Sequence, residues 1–108
     1  MLRHNIDTTI ATIFAIDVKT IREPSRGRAK VALARQVSMY LAHVGCRLPL
    51  TEVGRIFDRD RTTVRHACAV IEDRRDEPDF DRLLYLLEQI VTRQSANMGW
   101  CPGLVERD

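Results

Sequence analysis

From Asp60 to His66 the chain reads Asp-Arg-Thr-Thr-Val-Arg-His, and only Val64 among these side chains lacks a hydrogen-bonding group. Val64 opens a second pattern. With Ala67, Cys68 and Ile71 it follows the i, i+3, i+4, i+7 spacing of one buried helical stripe. Arg61, Thr62, Arg65 and His66 then fall on the opposite face. An arginine fork matches guanine O6 and N7, and a threonine offers a methyl to thymine and a hydroxyl to a base or phosphate. Such a helix carries the chemistry needed to read base edges in a major groove. Just before it, Glu52–Phe57 forms a short amphipathic segment with Val53, Ile56 and Phe57 as its apolar face, followed by a turn at Asp58 and Arg59. The whole stretch reads as a helix-turn-helix, with Asp60 expected to cap the second helix and Thr63 at its third position.

Other chemistries find little support. His66 and Cys68 evoke a thiol nucleophile, but two residues apart on a helix their side chains diverge by about 200°. Cys68 also belongs to the core stripe. His43 and Cys46 are two possible metal ligands, too few for a site, and the three cysteines have no metal-like spacing. Without paired carboxylates or a ligand cluster, the expectation is a non-enzyme with no metal and no cofactor. The odd cysteine count suits a reducing setting, so the chain is expected in the cytoplasm, associated with the nucleoid. No apolar run approaches the roughly 20 residues that cross a bilayer, and the polar first nine positions do not resemble a signal peptide.

Net charge is only +2, but its distribution is uneven. Residues 22 to 35 set Arg22, Arg26, Arg28, Lys30 and Arg35 against Glu23 alone. Residues 55 to 65 set Arg55, Arg59, Arg61 and Arg65 against Asp58 and Asp60. Residues 72 to 81 reverse the sign, with Glu72, Asp73, Asp76, Glu77, Asp79 and Asp81 against Arg74 and Arg75. If the first two segments lie side by side they form a basic face able to track phosphates, while the acidic segment points elsewhere.

The elements that must position these residues are helical throughout. At 108 residues the chain is read as one domain over residues 1–94, with a tail from Ser95 to Asp108. A first helix is expected from Asp7 or Thr8, with Ile10, Ile13 and Phe14 as its apolar face. A very short one follows over Val18–Ile21, capped by Asp17. Pro24–Arg28 is a basic loop. Ala29–Val44 is a central helix, apolar at Val31, Leu33, Ala34, Val37, Tyr40, Leu41 and Val44, with Gly45 as its stop. Pro49 or Leu50 begins the motif, and Gly54 inside it implies a close approach by the following helix. Past the recognition helix, Phe80, Leu83, Leu84, Leu86, Leu87, Ile90 and Val91 form a wide apolar face, read as a core helix closing the domain rather than a dimer zipper.

Three segments in order carry a family resemblance: Arg35-Gln36-Val37-Ser38-Met39-Tyr40-Leu41, Glu52-Val53-Gly54-Arg55-Ile56-Phe57, and Arg59-Asp60-Arg61-Thr62-Thr63-Val64-Arg65-His66-Ala67. Over roughly residues 6 to 92 the chain resembles the C-terminal DNA-binding domain of the bacterial replication initiator DnaA. The resemblance implies an all-α, Trp-repressor-like helix-turn-helix bundle of about five to six helices. By position, it assigns major-groove contacts to Asp60, Arg61, Thr62, Thr63 and His66. The family's minor-groove arginine falls on Gly27, between Arg26 and Arg28, and either can take the role. The sequence departs from the family at Arg61, where a histidine is usual, at Arg65, usually apolar, and in a turn one residue shorter. The initiator's ATP-binding module has no counterpart, since no Gly-x-x-x-x-Gly-Lys occurs.

The expected function is sequence-specific binding of double-stranded DNA, in regulating transcription or modulating replication initiation. Arg61, Thr62, Thr63, Arg65 and His66, with Asp60, would read bases, and Arg26, Arg28, Lys30, Arg55 and Arg59 would hold phosphates or the minor groove. The alternative is an adaptor that keeps the fold and engages a protein through the acidic segment 72–81 or the Trp100 tail.

Overall fold

A computed structural model describes residues 2–15 and 29–97. The expected helix at Val18–Ile21, the basic loop Pro24–Arg28 and the Trp100 tail lie outside the described residues. Within them the chain is all-α: α1 (Leu2–Phe14), α2 (Ala29–Tyr40), a π-helical turn (Leu41–Gly45), α3 (Leu50–Phe57), α4 (Arg61–Arg74) and α5 (Pro78–Asn97).

Helix α1 begins at Leu2, a full turn before the expected cap at Asp7 or Thr8. Ile6 and Ile10 are wholly buried one turn apart, so the apolar stripe reaches back past Asp7 and draws the helix with it. Asp7 is itself buried inside the helix rather than at its start, while Ile13 is exposed. Helix α2 is central, packing on α1 and, most extensively, on α4. Ser38 is buried on it, its hydroxyl donating to Ala34 O at 3.0 Å, so the polar group costs little there.

The expected single helix Ala29–Val44 changes pitch at Leu41. The Cys46 N–H donates to Leu41 O at 3.0 Å, five residues back, where an α-helix would reach four. The wider turn carries Val44 out of the apolar face to which its spacing assigned it, leaving it 39 % exposed. Helix α5 buries Leu84, Leu87 and Val91 and half-buries Phe80 and Leu83, so its core face is narrower than the leucine content suggested; Leu86 and Ile90 are exposed. Its backbone runs to Asn97, past Ser95.

Two sets of contacts hold α4 at its ends. At its start, α3 ends on Asp58 in the left-handed region (φ 56°, ψ 53°), and the N–H groups of Asp58 and Arg59 both return to Gly54 O. The chain turns back so tightly that a Cβ at Gly54 would lie 2.6 Å from Arg59 O. The close approach expected at Gly54 is therefore to the turn's own carbonyl. At the far end, Arg75 donates to Asp81 Oδ1 at 2.5 Å, Glu88 Oε2 at 2.7 Å and the Tyr40 hydroxyl at 2.8 Å. One guanidinium thus ties the end of α4 to α2 and α5. Partial burial works against its charge, but the bonds to Asp81, Tyr40 and Glu88 outweigh that and raise its pKa further above the arginine range. Burial pushes the Tyr40 hydroxyl above its ordinary value, with Arg75 opposing the shift.

Gly54→Ala gains about 1 kcal/mol of helix propensity, yet the forced movement of the Arg59 carbonyl outweighs it, for a net loss of about 1–2 kcal/mol. Urea unfolding checks this, and a stabilised variant would contradict the close approach. Arg75→Ala strands three acceptors and is expected to cost about 2–3 kcal/mol. Arg75→Lys recovers only part of that in a thermal melt, because a single ammonium cannot reproduce the fork.

Candidate nucleic-acid interface

Helix α4 divides cleanly into two faces. Val64, Ala67 and Ile71 are at most 1 % exposed, while Arg61, Thr62, Thr63, Arg65 and His66 are all exposed. Cys68 sits at the edge of the stripe, only partly buried. Burial, then the nearby Glu72, pushes its thiol up to about 11, so at neutral pH it stays protonated and a poor nucleophile.

The exposed face is finer-grained than the sequence shows. Arg61 and Arg65, one turn apart, line a cleft of about 550 Å³ whose other wall is His43, Val44, Arg47 and Leu48. Thr63 lies on the other flank, in a shallower hollow with Thr51, Arg55, Arg59 and Asp60, and Arg61 at the start of the helix borders both. At 100° per residue Thr62 and His66 fall on the crest between these flanks. The site residues read from α4 are therefore brought onto one continuous surface.

Asp60 behaves differently from the cap expected of it. Its backbone takes the N-cap conformation (φ −65°, ψ 149°) and its carbonyl accepts the Val64 N–H at 3.0 Å, but its side chain makes no capping bond. The carboxylate is turned to solvent beside Arg61.

The expected phosphate residues are only partly gathered here. Arg55 is exposed on α3 but paired with Glu52 one turn back, its Nε 3.1 Å from Oε1, and that bond holds the Glu52 carboxyl below its usual range. Arg59 folds onto its own turn, Nη1 donating to Asp58 O at 3.0 Å and Phe57 O at 3.4 Å. Lys30 is exposed in the first turn of α2, at the end away from the π-helical turn and so roughly 20 Å along the chain axis from the cleft wall. Arg26 and Arg28 lie outside the described residues.

Two cleft residues, His43 and Arg47, were not assigned to this surface from sequence. Neither the central helix pattern nor the loop composition brings them to α4; the π-helical turn does. The only hint in the sequence is a basic residue in the short connection before Pro49. The acidic segment lies at the opposite end of α4, about 20 Å from Arg61. Much of it is engaged internally: Glu72 accepts from the Tyr40 hydroxyl at 3.4 Å, Asp79 from Arg82 at 3.2 Å, and Asp81 from Arg75. Among the described residues no cluster of His, Cys, Asp or Glu could hold a metal, and no helix is long and apolar enough to cross a membrane.

This arrangement has close counterparts. Residues 4–71 match the family model described as the bacterial dnaA protein helix-turn-helix. The chain is similar to the chromosomal replication initiator protein DnaA of Bordetella pertussis and to that of Herminiimonas arsenicoxydans. In each case it is 40 % identical over 89 residues, or 81 % of this chain and 19 % of the relative. The DnaA of Paraburkholderia phymatum is 38 % identical over the same length. Among solved structures, one titled as a DNA replication initiation factor superposes with a TM-score of 0.75 at 31 % identity, covering 86 % of this chain and 28 % of that one. The chain thus spans about a fifth of the length of the curated relatives it matches. The matched segment runs from α1 through Ile71 on the buried stripe of α4, and on that ground the chain belongs to the family of the bacterial DnaA helix-turn-helix.

Proposed function

We propose that this chain binds double-stranded DNA at specific sites, with α4 in the major groove, and acts in replication initiation or in transcriptional control. The helix-turn-helix of the DnaA family is a DNA-binding module. The observation that carries the finer reading is the exposed surface of α4, where Arg61, Thr62, Arg65 and His66 stand on a helix whose opposite side is locked into the core. A helix about 10–12 Å across fits a major groove about 12 Å wide. Base edges would then face the crest and the Arg61 flank.

In this reading Arg61, Thr62, Thr63, Arg65 and His66 specify sequence. Asp60, turned outward beside Arg61, accepts from a cytosine amino group or orients the guanidinium. Arg55, Arg59 and Lys30 hold phosphates, the first two by exchanging their internal partners for the DNA backbone. Arg26 or Arg28 supplies the minor-groove or additional phosphate contact. The charge polarity along α4 keeps the acidic turn away from the duplex. Arg61 and Arg65 stand where the family resemblance implies a histidine and an apolar residue, so the preferred sequence is expected to differ from the initiator's own box.

Selection of binding sites from random duplexes tests the reading directly. It is expected to enrich one motif; an output without enrichment would favour an adaptor that engages a protein through residues 72–81 or the tail around Trp100. On the enriched duplex, Arg61→Ala is expected to cost about 1–3 kcal/mol and to relax preference at one position. Equal loss on every sequence, measured by anisotropy titration, would remove Arg61 from the reading group.

A further inference from the structure

The cleft beside α4 holds more positive charge than base reading requires. Arg47 joins Arg61 and Arg65 around it, with the buried Leu48 and Leu50 supplying apolar lining. Among the described residues no carboxylate lines it. Three guanidinium groups around one concavity repel one another in the free protein, and a bound anion relieves that repulsion.

The backbone at Arg47 adds a second, independent sign. Its φ is 60°, in the left-handed region where glycine or asparagine sits at lower cost. The conformation is imposed from both sides. The Leu48 N–H donates to Ala42 O at 3.2 Å, and His43 Nδ1 lies 2.6 Å from Leu48 O, pinning the loop to the π-helical turn. An exposed arginine at a position held this firmly has a defined place from which to reach a ligand.

We propose that Arg47 binds a backbone phosphate of the duplex strand that borders α4, making the cleft a phosphodiester subsite next to the bases read by Arg61 and Arg65. This rests on the DNA-binding reading above. A helix that fills the major groove leaves no space between its flanks and the groove walls, which are sugar-phosphate backbone. The loop Cys46–Pro49 flanks α4, so its arginine meets a wall. The contact is sequence-independent and adds to affinity and register.

The test compares Arg47→Asn, Arg47→Lys and Arg61→Ala with the wild-type chain on the enriched duplex and on a random duplex, across a salt series. Asparagine tolerates the left-handed backbone, so folding is preserved, and a thermal melt verifies it. Arg47→Asn is expected to flatten the slope of log affinity against log salt by about one unit on both duplexes. Arg47→Lys restores the slope, whereas Arg61→Ala lowers affinity far more on the enriched duplex than on the random one. If wild-type chain binds and Arg47→Asn keeps its full slope, the subsite is overturned while the functional reading stands. If wild-type chain binds neither duplex, the functional reading itself is overturned, and the subsite with it.

Discussion

The meeting of Gly54 with the Arg59 carbonyl is the constraint on which the rest of the functional surface depends. Gly54 serves twice: its carbonyl receives the N–H groups of Asp58 and Arg59, and its missing side chain leaves room for the chain to fold back across it. Without that room α3 and α4 would separate, and the turn would need more residues. With it, Asp58 takes the left-handed conformation, Asp60 takes the N-cap backbone, and α4 starts at Arg61 at a fixed angle to α3. The glycine costs α3 about 1 kcal/mol of helix propensity, which is offset by the burial of Val53 and Phe57 in one core with Val64, Ala67 and Ile71.

At the other end of α4 the requirement is different in kind. The helix runs out into a strongly acidic segment, and like charges there would splay it from its neighbours. Arg75 converts part of that acidity into cohesion by collecting Asp81, Glu88 and the buried Tyr40 hydroxyl on one planar group. Its guanidinium also lies 5.9 Å from the centre of the Tyr40 ring. The result is a helix fixed sterically at its basic end and electrostatically at its acidic end. The DNA-binding surface proposed on α4 would need that rigidity, since a displacement of about 1 Å loosens every contact a binding residue makes.

Between these anchors the π-helical turn has an effect out of proportion to its length. By shifting from four-residue to five-residue hydrogen bonding at Leu41, it releases Val44 from the core and brings His43 and the loop carrying Arg47 alongside α4. An uninterrupted α-helix through Val44 would place these residues elsewhere around the axis. Insertions of this kind are frequent at functional sites, and here one borders the exposed surface of α4.

Much of the architecture was legible in residue order alone. Periodicity at Val64, Ala67 and Ile71 places α4 and decides which of its side chains face outward, because burial of apolar area dominates the orientation of a helix. Gly45 and Pro49 mark the chain's bend before α3 for reasons of backbone sterics that operate locally, and Gly54 inside α3 signals a close approach. Three ordered segments of resemblance were enough to indicate the family. What the tertiary structure alone decided are matters of partnership between elements, above all that Arg75 finds Asp81, Glu88 and Tyr40. It also decided that α1 starts at Leu2, that Leu86 and Ile90 remain outside the core, and that Arg47 joins Arg61 and Arg65. Each depends on where a side chain stands relative to another element, and one-dimensional spacing carries no information about that until the helices have packed.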